Sequence, residues 1–369
     1  MWVIMVFICN VRKWRLILRG VLKYEIDIRV ERMTVMKQPL FLEPVFQERI
    51  WGGTALKEQF GYDTPSDSTG ECWAISAHPN GPSIVKNGPF AGKTLIELWQ
   101  EQPTLFGDHK TAVFPLLTKI LDANTDLSVQ VHPDDAYANL HERGELGKTE
   151  CWYIIDCEKG AEIIFGHNAN TKAEFTALIE KGEWEQLLRR VTIKPGDFFY
   201  VPSGTIHALG QGTVVLETQQ SSDTTYRLYD YDRIGQDGQL RELHIDKSIS
   251  VSTIPHRDAV TTTEHSIIPG AAITKFVEAE YFTVYKWDVD GKVEFDYKQF
   301  LLASVIDGKG TLTIGDETYP LKKGDHFILP ENMGAFEIEG KTTLIVSHIY
   351  IDLTRGIRKD PLKKISVVQ

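Results

Sequence analysis

The stretch GDFFYVPSGTIH, from Gly196 to His207, decides the fold of this chain. Its spacing, Gly-x5-Pro-x-Gly-x2-His, ends a strand pattern in a tight turn and directs one imidazole inward. Imidazole is the commonest side-chain ligand of metals in proteins. The stretch therefore indicates one half of a metal site.

The other half of this site lies upstream. Gln130 and His132 are separated by one valine in an apolar run. Successive side chains of a strand point to opposite faces, so these two residues share a face. Glu150 follows at the end of the run GKTE, residues 147–150. Two imidazoles, a carboxylate and an amide oxygen would then converge from separate strands of one barrel.

Several motifs together resemble a known family. The Gly196–His207 pattern resembles the second signature motif of the cupin superfamily. With SVQVHP at 128–133 and KTE at 148–150, the set is similar to the type I mannose-6-phosphate isomerases in their shorter bacterial form. The resemblance begins near Met36 and includes RIWGG at 49–53. It implies a mainly β fold of two cupin-type double-stranded β-helix barrels, or jelly rolls, with a small helical insertion.

The resemblance implies a metal centre with four protein ligands. These are Gln130, His132, Glu150 and His207. Two imidazoles with oxygen donors suit one Zn2+ per chain, although manganese or iron tolerates the same donors. Such a site keeps room for water or a substrate oxygen, as catalytic sites do. The alternative is that the two histidines are ordinary polar core residues and Glu150 is a surface acid.

The resemblance also assigns the residues that meet the substrate. Arg227 and Lys148 are the expected catalytic residues, and Ser128, Arg233 and Trp51 are expected to bind the substrate. Lys148 suits either proton transfer or a phosphate contact. Arg233 stands where the family more often has a lysine, a change that keeps the charge and alters its geometry. Trp51 opens the run WGG, which reads as a substrate-facing turn or as a purely structural turn.

The implied activity is that of a zinc-dependent aldose–ketose isomerase, which interconverts D-mannose 6-phosphate and D-fructose 6-phosphate through an enediol. Such an enzyme must polarise a carbonyl, stabilise an oxyanion and supply an acid–base group. Two alternatives stay open. One is another metal-dependent cupin enzyme, such as a different sugar-phosphate isomerase or an oxygenase, and the other is a non-enzymatic cupin that binds a sugar phosphate. Sequence leaves the proton-transfer base and the oligomeric state undetermined.

Composition limits the classes of partner and the cellular compartment that we expect for this protein. Its 369 residues carry a formal net charge of −11, which disfavours nucleic acid and requires a local basic pocket for an anionic substrate. The four cysteines include no CxxC pair, so we expect free thiols and a cytoplasmic protein. The apolar run Met1–Cys9 is too short to span a bilayer. We expect no membrane association, with a surface anchor through Trp14–Arg19 as the alternative.

Three parts of the chain are predicted. Residues 1–35 form an extension outside the fold, residues 36–268 the metal-binding catalytic barrel, and residues 269–369 a degenerate second barrel. Between 171 and 190, apolar residues recur at helical spacing around Gly182. This pattern predicts two short helices inserted in the catalytic barrel.

A weak internal repeat indicates the second barrel. The run KPGDFFYVP at 194–202 parallels KKGDHFILP at 322–330. Ala335 stands where His207 stands in the first copy, so we expect no metal there.

Two further expectations concern this second copy. Strands are expected around Leu301–Ile314, with a turn at residues 308–310. His326 and His348 are expected to be surface or structural residues.

Overall fold

The structure is a computed structural model that describes residues 38–349, apart from residues 110, 236 and 237. The predicted extension at residues 1–35 lies outside the described residues, as do residues 350–369. The described residues fall within one compact unit. No helix among them combines the length and the apolar character needed to cross a membrane.

Strands dominate the described part of the chain, which confirms the predicted mainly β fold. They are β1 (Leu40–Glu43), β2 (Val45–Gly53), β3 (Thr69–Ile75), β4 (Ile84–Val85), β5 (Leu116–Ala123), β6 (Val129–Val131), β7 (Glu150–Cys157), β8 (Glu162–His167), β9 (Leu188–Thr192), β10 (Phe198–Val201), β11 (His207–Leu209), β12 (Thr213–Gln220), β13 (Tyr226–Tyr229), β14 (Glu264–Ile268), β15 (Ala271–Glu278), β16 (Phe282–Tyr297), β17 (Leu301–Ile314), β18 (Glu317–Lys322), β19 (His326–Leu329) and β20 (Gly334–Ile349).

The helices are short and lie between strands. They are α1 (Ala55–Phe60), α2 (Leu95–Glu101), α3 (Asp135–His141), α4 (Lys172–Glu180), α5 (Trp184–Leu187) and α6 (Ile245–Val251), with 3-10 turns at Gly88–Phe90 and Pro103–Phe106. Polar caps define several starts. The Asp134 side chain, for example, accepts a hydrogen bond from the Tyr137 backbone N–H at 2.8 Å and so caps α3.

The predicted helical insertion is confirmed over most of its length. Thr171 caps α4, and Gly182, with φ of 68°, separates α4 from α5. The prediction is wrong at its end, because residues 188–190 belong to β9. That strand pairs with β8, and sheet pairing overrides the helical pattern of the local sequence.

Two sheets enclose the first core. One has the strand order β10-β7-β12-β5-β3-β2, and the other has the order β13-β6-β11-β8-β9. Leu121 and Trp152 from the first sheet share a buried cluster with Phe165 from the second. The candidate site residues project from strands and strand ends of these two sheets.

A third, nine-stranded sheet builds the C-terminal half. Its order is β14-β15-β16-β20-β17-β19-β1-β4, with β18 paired to β17. Trp287, Phe295 and Phe336 lie in its buried core. The early strands β1 and β4 pair with this sheet, so its hydrogen bonds cross the predicted boundary at residues 268/269. The division into domains stays a prediction.

The predicted turn at residues 308–310 is wrong, because β17 runs without a break from Leu301 to Ile314. Its pairing with β20 shifts register between Val305 and Asp307, and Gly308 follows with φ of 74°. A β-bulge accommodates an extra residue without ending a strand. The bulge therefore lies just before Gly308, and the strand continues in register through both glycines.

His326 and His348 are 1% and 7% exposed, so the structural alternative is confirmed and the surface alternative is wrong. His326 Nδ1 lies 2.9 Å from the Ser304 hydroxyl, and its Nε2 lies 2.7 Å from the Tyr62 hydroxyl. These contacts supply the hydrogen-bond partners that a buried imidazole requires.

Candidate metal centre

Three strands bring the predicted ligands together. His132 follows β6, Glu150 opens β7 and His207 opens β11. β6 and β11 pair directly, with Gln130 opposite His207. The potential ligand atoms of His132, Glu150 and His207 all lie within 4.8 Å of one another. The three side chains are at most 1% exposed, so the alternative of a surface acid at position 150 is wrong.

Both imidazoles present the same nitrogen to the centre. His132 Nδ1 lies 2.9 Å from the Thr224 carbonyl oxygen, and His207 Nδ1 lies 2.9 Å from the Thr205 carbonyl oxygen. These contacts favour a proton on Nδ1 and leave Nε2 free to bind. His132 Nε2 lies 3.5 Å from Glu150 Oε2, and His207 Nε2 lies 3.4 Å from Glu150 Oε1.

Burial keeps both imidazoles neutral. Burial lowers the pKa of His207 to about 4, and the nearby Lys148 charge adds to the effect. Burial also lowers the pKa of His132, again with a contribution from Lys148. A neutral imidazole is the form that binds a metal.

The polar atoms around this point fit a divalent metal. Both carboxylate oxygens of Glu150 are buried; Oε1 accepts no hydrogen bond from the described residues, and Oε2 faces the Lys148 ammonium at 3.0 Å. The Gln130 amide nitrogen lies 3.4 Å from His207 Nε2, and a half-turn of the amide presents its oxygen there. Two neutral imidazoles, a carboxylate and an amide oxygen form a ligand set that zinc accepts.

Lys148 lies at the ligands. Its Nζ is 3.0 Å from Glu150 Oε2 and 3.2 Å from His132 Nε2, and the residue is 5% exposed. Burial opposes its charge, yet the carboxylates of Glu150 and Glu217 raise the pKa of Lys148 above its ordinary value. Lys148 is therefore a cation in direct contact with the candidate metal site.

Sequence reasoning missed two charged residues in the same interior. Glu217 on β12 stands opposite both Lys119 on β5 and Trp152 on β7. Lys119 Nζ lies 3.6 Å from Glu217 Oε1, and Trp152 Nε1 donates to Glu217 Oε2 at 3.0 Å. Burial, followed by repulsion from Glu150, raises the pKa of Glu217. Charged residues inside two strands that are otherwise mostly apolar were the available signal, because buried charges require partners.

Arg227 lies next to the candidate ligands across the sheet. It stands opposite Gln130, which stands opposite His207, so the three side chains share one face. Arg227 Nη1 donates to the Glu242 carbonyl oxygen at 2.8 Å, and its backbone N–H donates to His244 Nδ1 at 3.1 Å. Burial and the charge of Arg241 lower the pKa of Arg227. The segment 242–244 thus holds Arg227 on the strand that neighbours the ligands.

Arg233 is anchored near Arg227. Its Nη2 lies 2.5 Å from the Asp230 carboxylate, its Nε donates to the Asp230 carbonyl oxygen at 3.2 Å, and its Nη1 donates to the Asp126 carbonyl oxygen. Arg241 also pairs with Asp230, with Nη1 3.2 Å from Oδ1. Sequence reasoning missed Arg241, which sits in a polar loop without a motif.

Ser128 and Trp51 occupy buried positions. Ser128 is 4% exposed and lies two residues before Gln130. Trp51 is 5% exposed and shares a buried cluster with Trp152. The turn predicted at residues 51–53 is wrong, because these residues end strand β2. A role of Trp51 in substrate binding stays a prediction.

Comparison with protein-family models finds two matches. Residues 40–159 match the model of the phosphomannose isomerase type I catalytic domain. Residues 272–349 match the model of the mannose-6-phosphate isomerase cupin domain.

Two similar proteins align with this chain over nearly their full length. The chain is 59% identical to mannose-6-phosphate isomerase ManA of Bacillus subtilis over 313 residues, which are 85% of this chain and 99% of that protein. It is 54% identical to a mannose-6-phosphate isomerase of Streptococcus mutans over 314 residues, which are 85% of this chain and 99% of that protein.

Solved structures agree with the fold. A crystal structure of mannose 6-phosphate isomerase from Bacillus subtilis is 60% identical, with a TM-score of 0.83, over 84% of this chain and 99% of that chain. A phosphomannose isomerase from Salmonella typhimurium is 15% identical, with a TM-score of 0.69, over 85% of this chain and 100% of that chain. The second match supports the fold alone.

Proposed function

The chain belongs to the family of type I mannose-6-phosphate isomerases, and from this premise we propose that it interconverts D-mannose 6-phosphate and D-fructose 6-phosphate. The reaction is an aldose–ketose isomerisation, in which a proton moves between C1 and C2 through an enediol. The proposed cofactor is one Zn2+ per chain, with Gln130, His132, Glu150 and His207 as ligands.

One observation carries this proposal: two neutral imidazoles and a buried carboxylate converge within 4.8 Å. One carboxylate oxygen of Glu150 faces Lys148 Nζ at 3.0 Å, and the other, Oε1, is buried and accepts no hydrogen bond from the described residues, which is costly unless a further cation is near. Zinc at this point supplies Lewis acidity toward an oxygen of the sugar. The ligands themselves hold their positions through the carbonyl contacts of His132 and His207.

Arg227 is the proposed stabiliser of the enediolate. A guanidinium keeps its charge at all working pH values and donates in a fixed plane. Arg227 lies in register with Gln130 and is held by Glu242 and His244. A charge that is already oriented needs no reorganisation when the oxyanion develops.

Glu217 and Lys148 are the proposed groups for proton transfer. The raised pKa of Glu217 brings the carboxylate closer to the range in which it accepts and returns a proton. Lys148 stays protonated and donates toward substrate oxygens near the ligands. The phosphate lies at the other end of the sugar, where Ser128 and Arg233 are the proposed contacts.

A coupled assay tests the proposal. Zinc-loaded protein is offered mannose 6-phosphate, and the appearance of fructose 6-phosphate is followed. We expect turnover that disappears on chelation and returns when zinc is restored. Turnover of a different sugar phosphate alone would support another cupin enzyme, and tight binding without turnover would support a binding protein; either result contradicts the proposed activity.

A further inference from the structure

Two guanidinium groups share one buried carboxylate beside the proposed active site, and a third lies close to them. Asp230 is 3% exposed. Arg233 Nη2 lies 2.5 Å from its Oδ1, and Arg241 Nη1 lies 3.2 and 3.3 Å from its two oxygens. Arg227 lies beside this pair, because its Nη1 donates at 2.8 Å to the carbonyl oxygen of Glu242, the residue that follows Arg241. Arg227 and Arg233 have proposed roles, and Arg241 has none.

The cluster holds more positive charge than its acid neutralises. Two guanidinium groups share the single carboxylate of Asp230, and Arg227 adds a third charge nearby. The Glu242 side chain is 84% exposed and lies 3.9 Å from His244 Nε2. Burial lowers the pKa of Arg241, as it does for Arg227. Like charges that are partly withdrawn from water repel one another. A bound anion would relieve this repulsion.

Arg241 has the free donors that an anion needs. Each of the three guanidinium nitrogens of Arg233 already donates to Asp230 or Asp126. Among the described residues, the hydrogen bonds of Arg241 use Nη1 alone. A guanidinium carries five N–H donors in a fork that matches two phosphate oxygens. Arg241 is therefore better prepared than Arg233 to receive a phosphate.

The position of Arg241 relative to the strand of Gln130 suits the phosphate end of the substrate. β13 is the edge strand of its sheet, and the segment containing Glu242 and His244 is hydrogen-bonded to Arg227 on that strand. Outward from His207 the order is Gln130, Arg227 and then this segment. Neighbouring strands lie about 4.8 Å apart, so the segment is roughly 10 Å from the strand of Gln130. This is the scale of an extended six-carbon sugar phosphate.

We infer that Arg241 binds the phosphate group of the substrate and determines the preference for a phosphorylated sugar. Asp230 orients it, and Arg233 closes the cluster from the other side of that carboxylate. The identity of the sugar rests on the proposed isomerase function. The assignment of phosphate to Arg241 rests on the charge and donor geometry of the cluster.

Two measurements on the zinc-loaded Arg241→Gln protein test the inference. We expect the KM for mannose 6-phosphate to rise about 10- to 100-fold, with kcat changed much less, because a charged hydrogen bond of this size is lost from ground state and transition state alike. We also expect the inhibition constant of inorganic phosphate to rise by a similar factor. Arg241→Lys should recover part of both losses.

The matched control is Arg189→Gln. Arg189 is also a partly exposed arginine paired with one carboxylate, that of Asp258 at 2.9 Å, but it lies on β9 at the far edge of the same sheet. It should leave both constants unchanged.

Two outcomes separate this inference from its premise. A lower thermal midpoint for Arg241→Gln with unchanged KM and unchanged phosphate inhibition would make Arg241 a structural ion pair and overturn the inference. If the wild-type protein does not isomerise mannose 6-phosphate, phosphate binding is measured by calorimetry. Weaker binding by Arg241→Gln would then uphold the phosphate site while the proposed reaction fails.

Discussion

Two turns, at residues 194–202 and 322–330, share one backbone plan. The Asp197 carboxylate accepts the Lys194 backbone N–H at 3.0 Å, and the Asp325 carboxylate accepts the Lys322 backbone N–H at 2.8 Å. The glycines before these aspartates have φ of 92° and 91°. Two residues after each proline the chain again turns left-handed, at a glycine with φ of 83° and at an asparagine with φ of 54°. The repeat is therefore one of backbone geometry.

Beyond these turns the two regions diverge. His207 is buried against Glu150, whereas Ala335, its counterpart by spacing, is exposed to solvent. The C-terminal core is filled by aromatic residues such as Trp287 and Phe295, whose rings stack at 4.1 Å. Loss of the imidazole is thus only part of the difference. One region holds buried charged groups at the candidate site, and the other is filled by apolar side chains that contribute stability.

The largest expected effect comes from exchanging one buried histidine in each region. His207→Ala should reduce bound zinc to background and abolish isomerase turnover, because a ligand of the proposed metal is removed. His326→Ala should keep stoichiometric zinc and lose stability. Metal analysis and the coupled assay on both proteins check this contrast. Full zinc and full turnover in His207→Ala would remove His207 from the ligand set.

Arg227→Ala tests the proposed catalytic role of the first region. We expect kcat to fall by about two to four orders of magnitude, the range for loss of an oriented charge-stabilising donor. KM should change much less, and zinc content should stay the same. Steady-state kinetics decide the point. A large rise in KM at constant kcat would instead make Arg227 a binding residue.

Trp287→Ala probes the apolar region. Trp287 is fully buried, so we expect a loss of about 3–5 kcal/mol in the free energy of unfolding. The matched change Trp152→Ala should also destabilise the protein, but it should lower activity as well, because Trp152 packs on His207 and donates to Glu217. Denaturant unfolding and specific activity per folded molecule separate the two. Equal losses of specific activity in the two variants would contradict this difference between the two regions.

The pH dependence of stability offers a smaller test at His326. Burial lowers its pKa to about 3, below the ordinary value of 6.5. The unfolded chain therefore binds a proton first as the pH falls. This stabilising contribution is fully present above about pH 6.5 and is lost toward pH 3, by at most about 1.4 kcal/mol per pH unit. His326→Gln should show a shallower decline over that window, and parallel curves for the two proteins would refute the assignment.

The smallest expected losses of stability come from the two shared turns, and these losses should be similar in size. Asp197→Ala and Asp325→Ala each remove one carboxylate that caps a backbone N–H in the shared turn. Each should lower the free energy of unfolding by about 1 kcal/mol, the typical value of such a bond. Thermal melts of both variants check this, with zinc content as the control. A severalfold difference between the two losses would mean that the turns are alike in shape and unlike in energy.

The sequence predicted the convergence of His132, Glu150 and His207 better than the surroundings of this candidate site. The turn at 196–207 and the alternation of Gln130 and His132 depend on near neighbours, whose geometry a short motif specifies. Residues 308–310 were wrongly predicted as a turn, since glycine occurs in turns and also in strands beside a bulge. The burial of His326 was not readable either, because its partner Tyr62 lies 264 residues away.

Residues that surround the centre could not be placed from local patterns. Glu217 meets Lys119 because β12 pairs with β5, and Arg241 meets Arg233 because both reach Asp230. The first meeting depends on strand register between distant segments, and the second on the closure of one loop, in which Arg241 lies 11 residues from Asp230.

Short motifs in the chain indicated the family, the mainly β architecture and the candidate ligands by resemblance, and two-residue periodicity placed Gln130 and His132 on one strand face. Tertiary structure alone determined the contacts between these elements. It joined β1 to the C-terminal sheet, brought Lys148 to Glu150, and assembled the arginine cluster around Asp230. Those contacts join segments that are far apart in sequence or depend on side chains meeting in a shared interior, where charge and burial are properties of the whole packing.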